Sequence, residues 1–112
     1  MRTRLAPLAL AAALIASPLA SPASAQDEAK LRSYGRHLAQ ECTGCHRADG
    51  IDSGIPSING WDPEEFAKAM EFYRTGARTN PVMVSVVQSL DAEQIRALAS
   101  YYASLPKPAR RK

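Results

Sequence analysis

Two thiols and an imidazole stand together in Cys42-Thr43-Gly44-Cys45-His46, and these are the only two cysteines of the 112-residue chain. A C-x-x-C pair serves several chemistries. A zinc site needs four ligands, usually completed by a second Cys or Cys/His pair, and the one remaining histidine is His37. A dithiol redox pair expects a βαβ setting, which the hydrophobic pattern does not supply. A disulfide between the two would close so short a loop that it adds little stability. The His that follows the second Cys decides the reading, because C-x-x-C-H is a signal for covalent haem attachment. Thiols one helical turn apart can react with the two vinyl groups of one porphyrin, and the adjacent imidazole reaches the iron from the same side. Cys42 and Cys45 are expected to carry one haem c, with His46 as an axial ligand.

The elements that must hold this group read as helices and long loops. Residues 27–40 place Leu31, Tyr34, Leu38 and Glu41 at helical spacing. Gly35 lies inside this run, where Gly costs up to about 1 kcal/mol against Ala and so has a packing reason. Residues 44–60 are rich in Gly, Pro and Asn with no clear period. A loop of that length in a small domain is expected to wrap something. A second helix starts at a capping box of Asp62 and Glu65 with Pro63 at its first position. Phe66, Met70 and Tyr73 form its buried stripe, and Gly76 ends it. Residues 79–90 stay open between strand and helix: four valines favour a strand, while Met83, Val87 and Leu90 fit one helical face. Asp91 and Gln94 form another box. The last helix follows with Ile95, Leu98, Tyr101, Tyr102 and Leu105 inward, stopped by Pro106 and Pro108.

The beginning of the chain is a different kind of segment. Arg2 and Arg4 precede an apolar run, which ends before Ala23-Ser24-Ala25. That order is the order of a secretory signal peptide, and the run is too short to span a membrane. The expected organisation is a cleaved leader at 1–25, a domain at 26–106 and a basic tail at 107–112. No later stretch is apolar enough for a membrane span. The formal net charge of +3 comes from this leader and from Lys107, Arg110, Arg111 and Lys112, so nothing in it points to nucleic acid. So small a domain needs a staple to supplement its core, and an attached haem would supply one.

Around the motif, Gly35-Arg36-His37-Leu38-Ala39-Gln40-Glu41-Cys42-Thr43-Gly44-Cys45-His46 resembles the opening of small class I bacterial cytochromes c. Residues 55–60, 76–83 and 98–105 resemble that family's loop on the histidine side, its methionine segment and its last helix. The resemblance spans nearly the whole chain after the leader; Arg47 departs from it where the family often has Gly. It implies an all-α class I cytochrome c-like fold, with three main helices and long loops around one covalent haem. Gly35 and Tyr101 resemble the family's close crossing of first and last helices.

Three side chains compete for the second axial position. Met70 lies on the stripe with Phe66 and Tyr73 and reads as core. His37 precedes Cys42 on the same helix and reads as a surface residue. Met83 follows Pro81 in the segment where the family places its thioether ligand, so the resemblance implies His46/Met83 ligation. It also implies the Pro56 carbonyl as acceptor for the His46 ring N–H. Trp61, Tyr73 and Arg78 are candidates to reach the haem propionates.

With both axial positions filled, iron has no site for a substrate, and a thioether raises its potential. The expectation is therefore a non-enzymatic periplasmic one-electron carrier that meets redox protein partners briefly. An alternative is a dedicated cytochrome subunit of a sulfide or sulfite dehydrogenase, fixed to a flavin- or molybdenum-containing subunit. A third reading, a haem-based small-ligand sensor, needs a labile sixth ligand.

Overall fold

The computed structural model describes residues 22–109, and among these it contains helices and no strands. Most of the expected leader and the last three residues of the basic tail lie outside the described residues. Helix α1 spans Pro22–Leu38 and runs into a 3-10 turn at Ala39–Glu41. Helices α2, α3 and α4 cover Pro63–Thr75, Pro81–Gln88 and Ala92–Ala103. Among the described residues no helix is long and apolar enough to cross a membrane.

Helix α1 begins five residues before the periodic pattern predicted, and so crosses the Ala25–Gln26 bond. The added residues hold no breaker apart from Pro22, which suits a first turn. The inward face of α1 also differs from the expected stripe. Tyr34 is exposed, and its hydroxyl accepts from Gln94 Nε2 at 3.4 Å. The buried positions are Gly35 and Ala39. Small residues occupy this face because α1 packs chiefly against α4 and crosses it with its backbone almost in contact.

Within residues 79–90, open between strand and helix, Pro81–Gln88 form α3 and add a fourth α-helix to the expected three. The local cause is a cap. The Asn80 side chain accepts from the backbone N–H of Val82 and Met83 at 3.0 and 3.2 Å, and Pro81 takes the first helical position. These two signals outweigh the β propensity of the valines. At α4 the capping box forms in full, Asp91 accepting from Gln94 N while the Gln94 side chain accepts from Asp91 N. At α2 the expected box is realised as its Asp62 half, the carboxylate accepting from Glu64 N and Glu65 N. Gly76 closes α2 in the left-handed conformation at φ 83°.

The core gathers where α2, α3 and α4 meet: Phe66, Ala69 and Met70 from α2, Val87 from α3, and Ile95, Leu98, Ala99 and Tyr102 from α4. Ala39 and Ile58 join it from the 3-10 turn and the long loop. That loop, residues 42–62, has no regular structure but is bonded to itself and to α4. Asn59 Nδ2 donates to the Ala48 carbonyl at 3.2 Å, and Gly60 N donates to the Tyr102 carbonyl at 2.8 Å.

Candidate haem site

The C-x-x-C-H segment continues the 3-10 turn for one further turn. Cys42 N and Thr43 N donate to the Ala39 carbonyl, and Cys45 N and His46 N to the Cys42 carbonyl. This winding turns both thiols and the imidazole onto a single cavity. Both cysteines are free thiols. Burial pushes the Cys42 thiol up, an interaction with the Tyr102 hydroxyl pulls it part of the way back, and the Glu41 carboxylate raises it further.

His46 is half-buried, and its Nδ1 lies 2.8 Å from the Pro56 carbonyl oxygen. A carbonyl only accepts, so Nδ1 carries the hydrogen and Nε2 keeps its lone pair. The pairing fixes both tautomer and ring orientation, as a metal-binding imidazole requires.

The cavity opens to solvent, and the space between its walls is about 760 Å³ with the open mouth included. Ile58, Phe66, Ala69, Met70, Leu90 and Leu98 give it an apolar wall. Met83, Val82 and Val86 reach it from α3, while Trp61, Tyr73 and Arg78 line it as well. The Arg78 guanidinium stacks over the Tyr73 ring at 5.6 Å, and Trp61 meets Phe66 edge-on at 6.5 Å. Every residue singled out in the sequence as a ligand or attachment point lines this cavity except His37, which is exposed on α1.

Met70 is 6 % exposed, so it is core as expected, yet it also lines the cavity. Two thioethers therefore share the site. Met83 is only half-buried and sits in the first turn of a capped helix. The sequence reading missed Val82, Val86 and Leu90 as lining residues, and the Asn80-Pro81 start signal is what could have found them. Among the described residues no group of three or more His, Cys, Asp or Glu side chains converges to hold a bare metal ion.

The donor set fits a covalently held haem. Two free thiols, an imidazole with a free ring nitrogen, two thioethers, the Glu41 carboxylate and the Arg78 guanidinium surround an otherwise largely apolar space.

No family model matches the sequence. Comparison with individual proteins does find relatives. The chain is 34% identical over 107 residues to a thiosulfate dehydrogenase electron acceptor of Stutzerimonas stutzeri, covering 91% of this chain and 48% of that one. It is 38% identical over 76 residues to a cytochrome subunit of sulfide dehydrogenase from Chlorobaculum tepidum, covering 67% of this chain and 69% of the other. Among solved structures, reduced recombinant cytochrome c4 from Pseudomonas stutzeri superposes with a TM-score of 0.54 at 34% identity, over 77% of this chain. The chain spans about half the length of that structure (50%) and of the S. stutzeri relative (48%).

Proposed function

This chain belongs to the cytochrome c family, and on that premise we propose that it is a periplasmic one-electron carrier with a His46/Met83-ligated haem c. Its role is electron transfer and not catalysis of a substrate reaction, as for its cytochrome relatives. A haem c bound in the cavity supplies a one-electron iron couple.

The chain's own residues do the rest. Cys42 and Cys45 hold the group through thioether bonds. His46 offers Nε2 to the iron while the Pro56 carbonyl holds its other nitrogen. Met83, carried by α3, would supply the second ligand to the iron, and Met70 would form part of the apolar wall. Trp61, Tyr73 and Arg78 line the same cavity and would meet the propionates, with Arg78 supplying the cation. The apolar wall keeps water from the iron and favours the less charged ferrous state. Export follows from the leader read at 1–25, with 26–106 as the working domain and 107–112 as a basic tail.

The observation that carries this reading is the convergence on one apolar cavity of both thiols, the Pro56-held His46 and Met83. The test is optical. Protein made with a haem-maturation system is expected to give the pyridine adduct of a thioether-linked haem and a far-red band of methionine-bound ferric iron. That band should vanish in Met83→Ala and persist in Met70→Ala. The reverse pattern would hand the ligand role to Met70, and no covalent haem would end the whole reading.

A second reading keeps the same haem and changes the partner. Val82 is 59% exposed, Ile55 42% and Val86 36%; two of these line the cavity and Ile55 adjoins Pro56, which also lines it. Such an apolar margin suits a lasting interface. Two relatives are named for sulfide and thiosulfate dehydrogenases. Here the chain would be the fixed cytochrome subunit of a sulfur-compound dehydrogenase. Native co-purification with a flavin or molybdenum subunit supports it, and a free native monomer rules it out.

A further inference from the structure

Tyr102 is 3% exposed, and its hydroxyl is buried with no hydrogen-bond partner. The ring cannot swing out to find one. It stacks on Phe66 at 5.8 Å and 18°, meets Tyr101 edge-on at 5.3 Å, and its own carbonyl accepts from Gly60 N. A Phe would fill the same stack without burying a polar atom, so the hydroxyl needs its own explanation. The group that acts on it is the Cys42 thiol, which packs against the same core. Burial first, and then the Cys42 thiol, push the Tyr102 hydroxyl above the ordinary phenol range; in return Tyr102 lowers Cys42 against the effect of burial.

Resting on the haem reading above, we propose that Tyr102 is a positioning residue for the Cys42 sulfur, its phenolic O–H donating to that sulfur in the finished protein. The attachment chemistry makes the direction of the bond definite. When the thiol adds across a haem vinyl group, the S–H bond and the vinyl π bond break. An S–C bond and a C–H bond form, with no net gain or loss of electrons. The thioether sulfur then has lone pairs and no hydrogen, so it can only accept. The thiol's own hydrogen has gone to the vinyl carbon, so Tyr102 is left as the one possible donor of the pair. The positive end of the O–H dipole then points toward the porphyrin periphery, which favours the state carrying one more electron.

The test uses the full chain made with a haem-maturation system. Tyr102→Phe is expected to keep covalent haem and to lower the midpoint potential. The ferrous-to-ferric ratio at a fixed applied potential should fall about threefold, roughly 30 mV at 59 mV per tenfold for one electron. The resonance Raman carbon–sulfur band should shift in the same variant, and neither change is expected in Tyr101→Phe, whose hydroxyl belongs to a half-buried ring. In the unaltered protein, refolding in heavy water should move that band through the phenolic deuterium, a readout that needs no variant. A Tyr102→Phe protein with unchanged potential and unchanged sulfur band, or no heavy-water shift, overturns the proposal. Absence of covalent haem from the unaltered chain overturns the haem reading instead, and the pyridine adduct tells the two failures apart.

Discussion

A methyl group built on Gly35 would stand 1.9 Å from the Ala97 carbonyl oxygen and 2.5 Å from its carbon. The obstacle is backbone, which cannot rotate aside, so any side chain at this position must push α1 off α4. Gly35→Ala gains about 1 kcal/mol in helix propensity, but overpacking of this kind costs 1–3 kcal/mol or more. Rigid contact on both helices puts the change at the high end. A net loss of about 2 kcal/mol, lowering Tm by roughly 10 °C, is expected by thermal circular dichroism. The absorption spectrum of folded protein should stay the same. An unchanged Tm would mean that the two helices separate without cost.

The crossing also indicates how far the sequence alone could lead. Gly35 was legible as a packing position because a glycine inside a helical pattern needs a reason. Which face of α1 would be buried was not legible, since the close approach makes Gly35 and Ala39 the inward residues and leaves Tyr34 outside. Caps were read well at Asp62 and Asp91. Asn80 was passed over because the valines after it carry a β signal, and residues 79–90 therefore stayed open between strand and helix. At the site, the attachment motif and the Pro56 contact were readable from local spacing and resemblance. The burial of the Tyr102 hydroxyl was not, because it depends on how α4 packs into the core.

The Asn80 side chain caps α3 by accepting from Val82 N and Met83 N, so one of its bonds ends on the proposed ligand. Removing an Asn cap costs about 1 kcal/mol. In Asn80→Ala the far-red methionine band of the ferric protein is expected to disappear at a lower denaturant concentration than the helical signal does. Asn80→Asp, an equally good cap, should bring the two transitions together again. Coincident transitions in Asn80→Ala would show that the cap does not govern Met83.

The exposed turn after His46 gives a pH prediction. The Asp49 carboxylate is held down to about 2, first by hydrogen bonding from the Arg47 guanidinium and next by the Ile51 N–H. A carboxylate with a lowered folded-state pKa stabilises the fold above its ordinary value near 3.8, and that contribution is lost as pH falls from there through about 2. Both side chains are exposed, so the effect is small and screened by salt. Asp49→Asn should lower stability by a small, constant amount above pH 5, and that difference should shrink as pH falls through 3.8 toward 2. A difference from the unaltered protein as large at pH 2 as at neutral pH would contradict this assignment.

The margin of the cavity bears on how two redox centres meet. Residues 79–90 contain no charged side chain, and Val82, the most exposed large apolar residue there, lines the cavity itself. Electron self-exchange between reduced and oxidised copies brings two such margins together. With no charge at the contact, its rate should depend weakly on ionic strength. Val82→Lys places a cation on each copy. Two unit charges roughly 6–8 Å apart in water repel by about 0.5–0.7 kcal/mol, which slows self-exchange two- to threefold at low salt. The rate should return toward the unaltered value near 1 M salt, where the Debye length of about 3 Å is well below that separation. NMR line broadening of partly reduced samples measures this directly. If Val82→Lys exchanges as fast as the unaltered protein at low salt, electrons leave by another face.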